Sequence, residues 1–333
     1  MSRFKDTDYL NISMRIKYLE ARLMGSEAFG RVLSCKTPDE AISVICDRLG
    51  AEAGKISSAY DFEVLIDAEE EKVSEFLLKN SPNRSLVEIF NIRRDFMNIK
   101  ALIKADICNI SPDRMLVSGG SVTKEEIKKA FDKRDEKLLD GYFIAAVKAA
   151  FGVYSQTGDP QRIDTVCDRI CFECLKNAAD KSPFDFVSEF FGMRIDLINI
   201  LAFIRQKLMG KDVSFYSTTV LSGGSVFSEK ELTDLYVRSL PEFFEHLSRT
   251  KYGVLISEID PLDPDTASLE RNADKFVCTA VKNLRKVSFG PQVIAGYILA
   301  KEYEIKNIRI AMSGVISGQS SDVIKERLRL GYE

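Results

Sequence analysis

Apolar side chains along this chain recur at helical rather than strand spacing. Leu197, Ile200, Leu201, Ile204 and Leu208 follow i, i+3, i+4, i+7 and i+11, the stripe that one face of an amphipathic helix turns toward a core. Leu138, Leu139, Tyr142, Phe143, Ala146 and Ala149 trace a second stripe. Pro82, Pro112, Pro160, Pro183, Pro241, Pro261, Pro264 and Pro291 fall between periodic stretches and read as boundaries, because proline lacks the N–H that a helix interior uses. Thr123 with Glu126, and Ser228 with Glu231, have the spacing of capped helix starts. Val213 to Val220 and Tyr252 to Ile259 look strand-like but have no partner of matching pattern. The pattern predicts an all-α protein.

One helical signature occurs three times. Asp95-Phe96-Met97-Asn98-Ile99 is echoed by Asp196-Leu197-Ile198-Asn199-Ile200, 101 residues on, and by Glu304-Ile305-Lys306-Asn307-Ile308, a further 108 on. The apolar positions stay in step beyond it, at Ile103, Ile204 and Met312. A second echo follows: Leu116-Val117-Ser118-Gly119-Gly120-Ser121-Val122 matches Val220-Leu221-Ser222-Gly223-Gly224-Ser225-Val226, and Ser317-Gly318-Gln319-Ser320 is a degenerate third copy. Repeats of this length are ordinary domain-sized units. The chain is expected to form three similar helical units: 1–122 with an N-terminal segment, 123–226, and 227–333 with a C-terminal helix over Asp322 to Leu330. Packed around a pseudo-threefold axis, they would enclose a funnel.

Composition narrows the chemistry. The 333 residues carry 47 basic and 50 acidic side chains, a net charge of −3 that excludes a strongly basic nucleic-acid binder. A single His and no Trp exclude mechanisms that need two histidines. The N-terminus is charged from the start, and no apolar run reaches the 18 or more residues of a membrane span, so a soluble, cytoplasmic protein is expected. Seven cysteines fit reduced thiols. Cys167, Cys171 and Cys174 share one helix face, which suits either a buried stripe or a three-thiolate metal site, although no fourth ligand is near in sequence.

In the repeated signature, the pairs Asp95 and Asn98, Asp196 and Asn199, and Glu304 and Asn307 read as structural nodes, because catalysis seldom needs one device in every repeat. The Ser-Gly-Gly-Ser loops offer amides to an anion, but neither continues into the Gly-Lys-Ser/Thr of a phosphate loop, and both read as turns. His246 sits in an aromatic helix and reads as structural. Glu69-Glu70-Glu71-Lys72 reads as a solvated face. No catalytic, cofactor-binding or metal-ligating residue emerges. By these residues alone, the chain is a protein-binding scaffold. An unrelated all-α regulatory adaptor stays open, as does a metalloenzyme built on the three cysteines.

Several stretches together resemble the C subunit of the archaeal and bacterial V-type (A-type) ATPases, a relative of the d subunit of the eukaryotic vacuolar enzymes. They are the Asp95 and Asp196 helices followed by Lys104 and Arg205, the turns at Ser118 and Ser222, Leu247 to Tyr252, the opening Tyr9 to Met24, and most specifically Gly296 to Arg309. Two places depart from the pattern: Ile45 to Gly50, and Ser313-Gly314, where the family often carries Lys or Gly-Lys. The resemblance implies a non-catalytic central-stalk component without cofactor. It would dock the D and F (or G) axle subunits at one end and the membrane proteolipid ring at the other, transmitting torque for ATP-linked ion transport from the cytoplasmic side.

Overall fold

The computed structural model describes residues 4–50, 58–133 and 141–332. Leu138 and Leu139 of the second stripe lie outside the described residues. In chain order the helices are α1 (Leu10–Glu20), α2 (Ser26–Leu33), α3 (Pro38–Leu49), α4 (Phe62–Asn80), α5 (Arg84–Cys108), α6 (Lys124–Asp132), α7 (Gly141–Thr157), α8 (Pro160–Lys181), α9 (Asp185–Leu208), α10 (Val213–Thr219), α11 (Glu229–Tyr236), α12 (Leu240–Ser248), α13 (Thr266–Arg285), α14 (Pro291–Ile316) and α15 (Ser321–Arg327). No strand occurs among the described residues, so the fold is all-α. No described helix is long and apolar enough to cross a membrane.

Local chemistry sets these boundaries. Thr123 and Glu126 form a reciprocal capping box at the start of α6, and Ser228 caps α11 by accepting from the Glu231 amide. The strand-like Val213 to Val220 becomes α10, because Asp212 accepts the Phe215 amide at 2.7 Å and starts a helix there. Tyr252 to Ile259 is a 3-10 turn around Gly253–Leu255. The C-terminal helix is shorter than expected: α15 stops at Arg327, and the described residues beyond it are not helical.

The chain divides into two compact units, residues 1–87 with 278–333, and residues 88–277; the divisions fall inside α5 and α13. In the first unit α14 is the central element. It is buried on nearly every side and packs against α1, α2, α3, α4 and α15, as expected of a helix that is apolar all round. Ile305, Ile308 and Met312 join Phe29, Val32, Ile45 and Ile66 in its core. The departure at Ser313-Gly314 has a packing reason: a Cβ at Gly314 would lie 2.6 Å from the Ile324 side chain of α15. In the second unit α7, α8 and α9 pack in sequence, and the α9 ring of Phe203 stacks on Phe243 with centroids 3.7 Å apart.

Candidate functional site

The repeated signature falls on the three longest helices, α5, α9 and α14, and all six of its polar residues are completely buried. Each Asn solves its burial in the same way. A carboxamide carries the same donor and acceptor as a peptide group, so it can pair with extended backbone as one more residue of a ladder would. Asn98 donates to the Val117 carbonyl at 3.0 Å, and the Val117 N–H donates back at 2.8 Å. Asn199 and Leu221 repeat the exchange at 2.8 Å in both directions. Asn307 donates to the Arg329 carbonyl at 3.1 Å and accepts the Arg329 N–H at 2.7 Å.

The acid one turn earlier holds the following turn. Asp95 accepts the N–H groups of Ser121 at 3.1 Å and Val122 at 3.3 Å, together with the Ser121 hydroxyl. Asp196 accepts the N–H groups of Ser225 and Val226 at 2.9 Å and of Phe227 at 3.3 Å, and the Tyr252 hydroxyl at 2.7 Å. The Ser-Gly-Gly-Ser loops thus do gather amides around an anion, and that anion is the protein's own carboxylate. Both glycine positions are required. Gly119 and Gly223 have φ of 79° and 91°. A Cβ at Gly120 or Gly224 would lie 2.1 Å from the carboxylate oxygen it wraps. Burial pushes Asp95 up to about 6, against the lowering pull of its hydrogen bonds from Ser121 and Val122. Burial and the adjacent Asp196 both raise Tyr252.

The third copy differs. Ser317 to Ser320 does not take the place of the glycine turns; the segment after α15 is what Asn307 holds. Glu304 instead accepts the Met24 N–H at 2.6 Å and pairs with Lys301 at 2.7 Å. Lys301 also meets Glu69 at 2.6 Å, and all three side chains are nearly or fully buried. Burial alone would lower Lys301, but the Glu304 and Glu69 charges outweigh it and hold the ammonium above its ordinary value. The Glu69 to Lys72 run is therefore not wholly a solvated face. Glu69 and Glu70 point inward, where α14 supplies Lys301 to one and Arg309 to the other, at 3.8 Å. Sequence reading missed this network because its cations lie more than two hundred positions away.

Cys167 and Cys171 are buried in α8, and burial raises both thiols to about 12, which disfavours the thiolate a metal requires. Cys174 is half-buried. No group of three His, Cys, Asp or Glu side chains among the described residues is placed to hold a metal ion. His246 lies 3.4 Å from Glu231 at the surface. Lys104 pairs with Asp164 at 2.8 Å and Arg205 with Glu270. The first unit also contains a concavity of about 720 Å³ between α1, α3, α4 and α14, lined by Arg15, Arg22, Arg48, Lys72 and Lys301 among apolar side chains.

The arrangement contains buried polar groups that fasten helices and an open pocket, and comparison with known proteins agrees with a structural part. The sequence profile of the family described as ATP synthase (C/AC39) subunit matches residues 12–327. The C subunit of the V-type sodium ATPase of Enterococcus hirae is 24% identical over 98% of this chain and 99% of that protein. The C subunit of the A-type ATP synthase of Thermococcus kodakarensis is 25% identical over 97% of this chain and 91% of that protein, and that of Methanocaldococcus jannaschii is 22% identical over 96% and 86%. The chain belongs to the ATP synthase (C/AC39) subunit family, and is a non-catalytic component of a rotary ATPase rather than the part that turns over ATP.

Proposed function

We propose that this protein is the central-stalk coupler that joins the rotating axle to the membrane proteolipid ring and transmits torque between them. Three helical units, 1–122, 123–226 and 227–333, would stand around a pseudo-threefold axis as a funnel. One end would take the D and F (or G) axle subunits and the other would rest on the ring, on the cytoplasmic side and peripheral to the membrane. Asp95 and Asn98, Asp196 and Asn199, and Glu304 and Asn307 are then the structural nodes of the three units.

The observation that carries the reading is the threefold recurrence of the Asn exchange on the three longest helices. A torque-bearing body must deform little under load. Close-packed helices supply part of that stiffness. Buried side-chain-to-backbone pairs, which have one geometry and no solvent alternative, supply the rest. Near balance of acidic and basic side chains suits mixed-sign docking to protein partners. The test is capture of purified axle subcomplex and of detergent-solubilised ring by the full-length chain at low and moderate salt. Binding to both supports the coupler. Binding to neither contradicts it and favours an unrelated adaptor.

A further inference from the structure

The concavity of the first unit has a charge that the rest of the chain does not predict. The protein is net negative, yet this pocket is lined by five cations against the single carboxylate of Glu69. Glu69 is already shared by Lys301 at 2.6 Å and Lys72 at 3.3 Å. The three guanidiniums have only neutral partners among the described residues. Arg15 donates to the Asn80 side chain and lies 4.6 Å over the Phe76 ring. Arg22 meets the Tyr18 hydroxyl at 3.3 Å. Arg48 donates to the Leu23 carbonyl at 3.3 Å, and its buried Nε has no partner among the described residues. Cations grouped at a partly apolar wall focus a positive potential and attract anions to it.

What lies beside the pocket identifies the kind of anion. Leu10, Met14 and Tyr18 stand at i, i+4 and i+8 on one face of α1, and they are 44%, 75% and 65% exposed. Met14 and Tyr18 also line the pocket, so the apolar stripe begins inside it and runs about 6 Å of helix beyond it, to Leu10. A free phosphate or a small carboxylate would satisfy the arginines and leave the stripe bare. A partner helix with an apolar face and carboxylates one turn apart would cover both.

We propose that this concavity and the adjoining face of α1 form a docking groove for an acidic amphipathic helix of a protein partner in the rotary assembly. The apolar face of that helix seats on Leu10, Met14 and Tyr18, and its carboxylates pair with Arg22, Arg48 and Arg15. This rests on the coupler reading for the identity of the assembly, and on the pocket alone for the chemistry of the contact.

The experiment measures binding of the full-length chain to axle subcomplex and to ring, separately, at two salt concentrations. Arg22→Glu and the double variant Met14→Ser/Tyr18→Ser change exposed side chains and leave the core intact. Lys230→Glu, an exposed charge reversal on α11 of the second unit that does not line the groove, is the control. The expected result is a tenfold or greater loss for one partner with both groove variants, steep salt dependence for the wild type, and no change for the control or for the other partner. If both partners bind and both groove variants bind them within twofold of wild type, the groove is overturned while the coupler stands. If the wild type binds neither partner, the coupler fails and the groove with it. A parallel arm adds millimolar inorganic phosphate or ATP. If these raise Tm in an Arg22-dependent way and partner binding ignores the groove variants, the occupant is a small anion and the helix assignment is wrong.

Discussion

Asn199→Ala removes one exchange of hydrogen bonds and nothing else of size. The side chain is completely buried, and it satisfies both the N–H and the carbonyl of Leu221, each at 2.8 Å. Leu221 is 5% exposed, so its backbone cannot turn to bulk water. At about 1–3 kcal/mol for each of the two stranded buried groups, the variant loses roughly 2–6 kcal/mol, and entry of one water into the vacated space sets the low end. Asn272→Ala calibrates the scale, since its half-buried side chain makes one bond of 2.9 Å to the Leu255 carbonyl and its loss costs about 1 kcal/mol. Urea unfolding followed by circular dichroism measures both, and native-state hydrogen exchange reads the Leu221 amide directly. Asn98→Ala and Asn307→Ala repeat the effect at Val117 and Arg329. The reasoning is refuted if Asn199→Ala falls within about 0.5 kcal/mol of wild type with Leu221 exchange unchanged, because packing alone would then hold α9 in place.

The glycine turns give a contrast: Gly224→Ala, whose Cβ would sit 2.1 Å from Asp196, loses about 2 kcal/mol or more, while Gly152→Ala, in the open interior of α7, gains about 0.5–1 kcal/mol by the same unfolding assay. Asp95 is raised to about 6 from 3.8, so the folded state holds its proton more tightly than the unfolded state. Its contribution is therefore fully present below about pH 4 and lost as pH rises to about 6, at most about 3 kcal/mol, and Asp95→Asn should remove that slope from a stability-against-pH series. Lys301→Met strips buried Glu304 of its cation and leaves Glu69 only Lys72, and costs about 3–5 kcal/mol by the same unfolding assay. A thiol reagent at pH 8 should label exposed Cys108 rapidly and reach Cys167 and Cys171, raised to about 12 by burial, only on unfolding.

Much of this structure is written in local pattern. The period of Leu197 to Leu208, the caps at Thr123 and Ser228 and the proline boundaries are near-neighbour physics, and they yield the helices. The composition of Val213 to Val220 suggests a strand, but one capping carboxylate at Asp212 outweighs it. The nodes are visible as a repeat because the same buried problem recurs. Their partners are not, since the N–H and carbonyl of Val117, Leu221 and Arg329 belong to backbone that any side chain could carry. For the same reason Ser317 to Ser320 looks like the third turn, while the residue held is twelve positions beyond Ser317. Charges that meet only on folding are hidden too. Glu69 looks solvated until Lys301 arrives, and the groove cations come from positions 15, 22, 48, 72 and 301.

The coupler itself is tested most directly by reconstituting the rotary complex in vesicles with and without this protein, and measuring ATP hydrolysis and ATP-driven ion uptake together. The account predicts that hydrolysis by the head persists without the coupler while ion uptake is lost, and that adding the purified chain restores uptake. Ion uptake that proceeds at the full rate in its absence would contradict it.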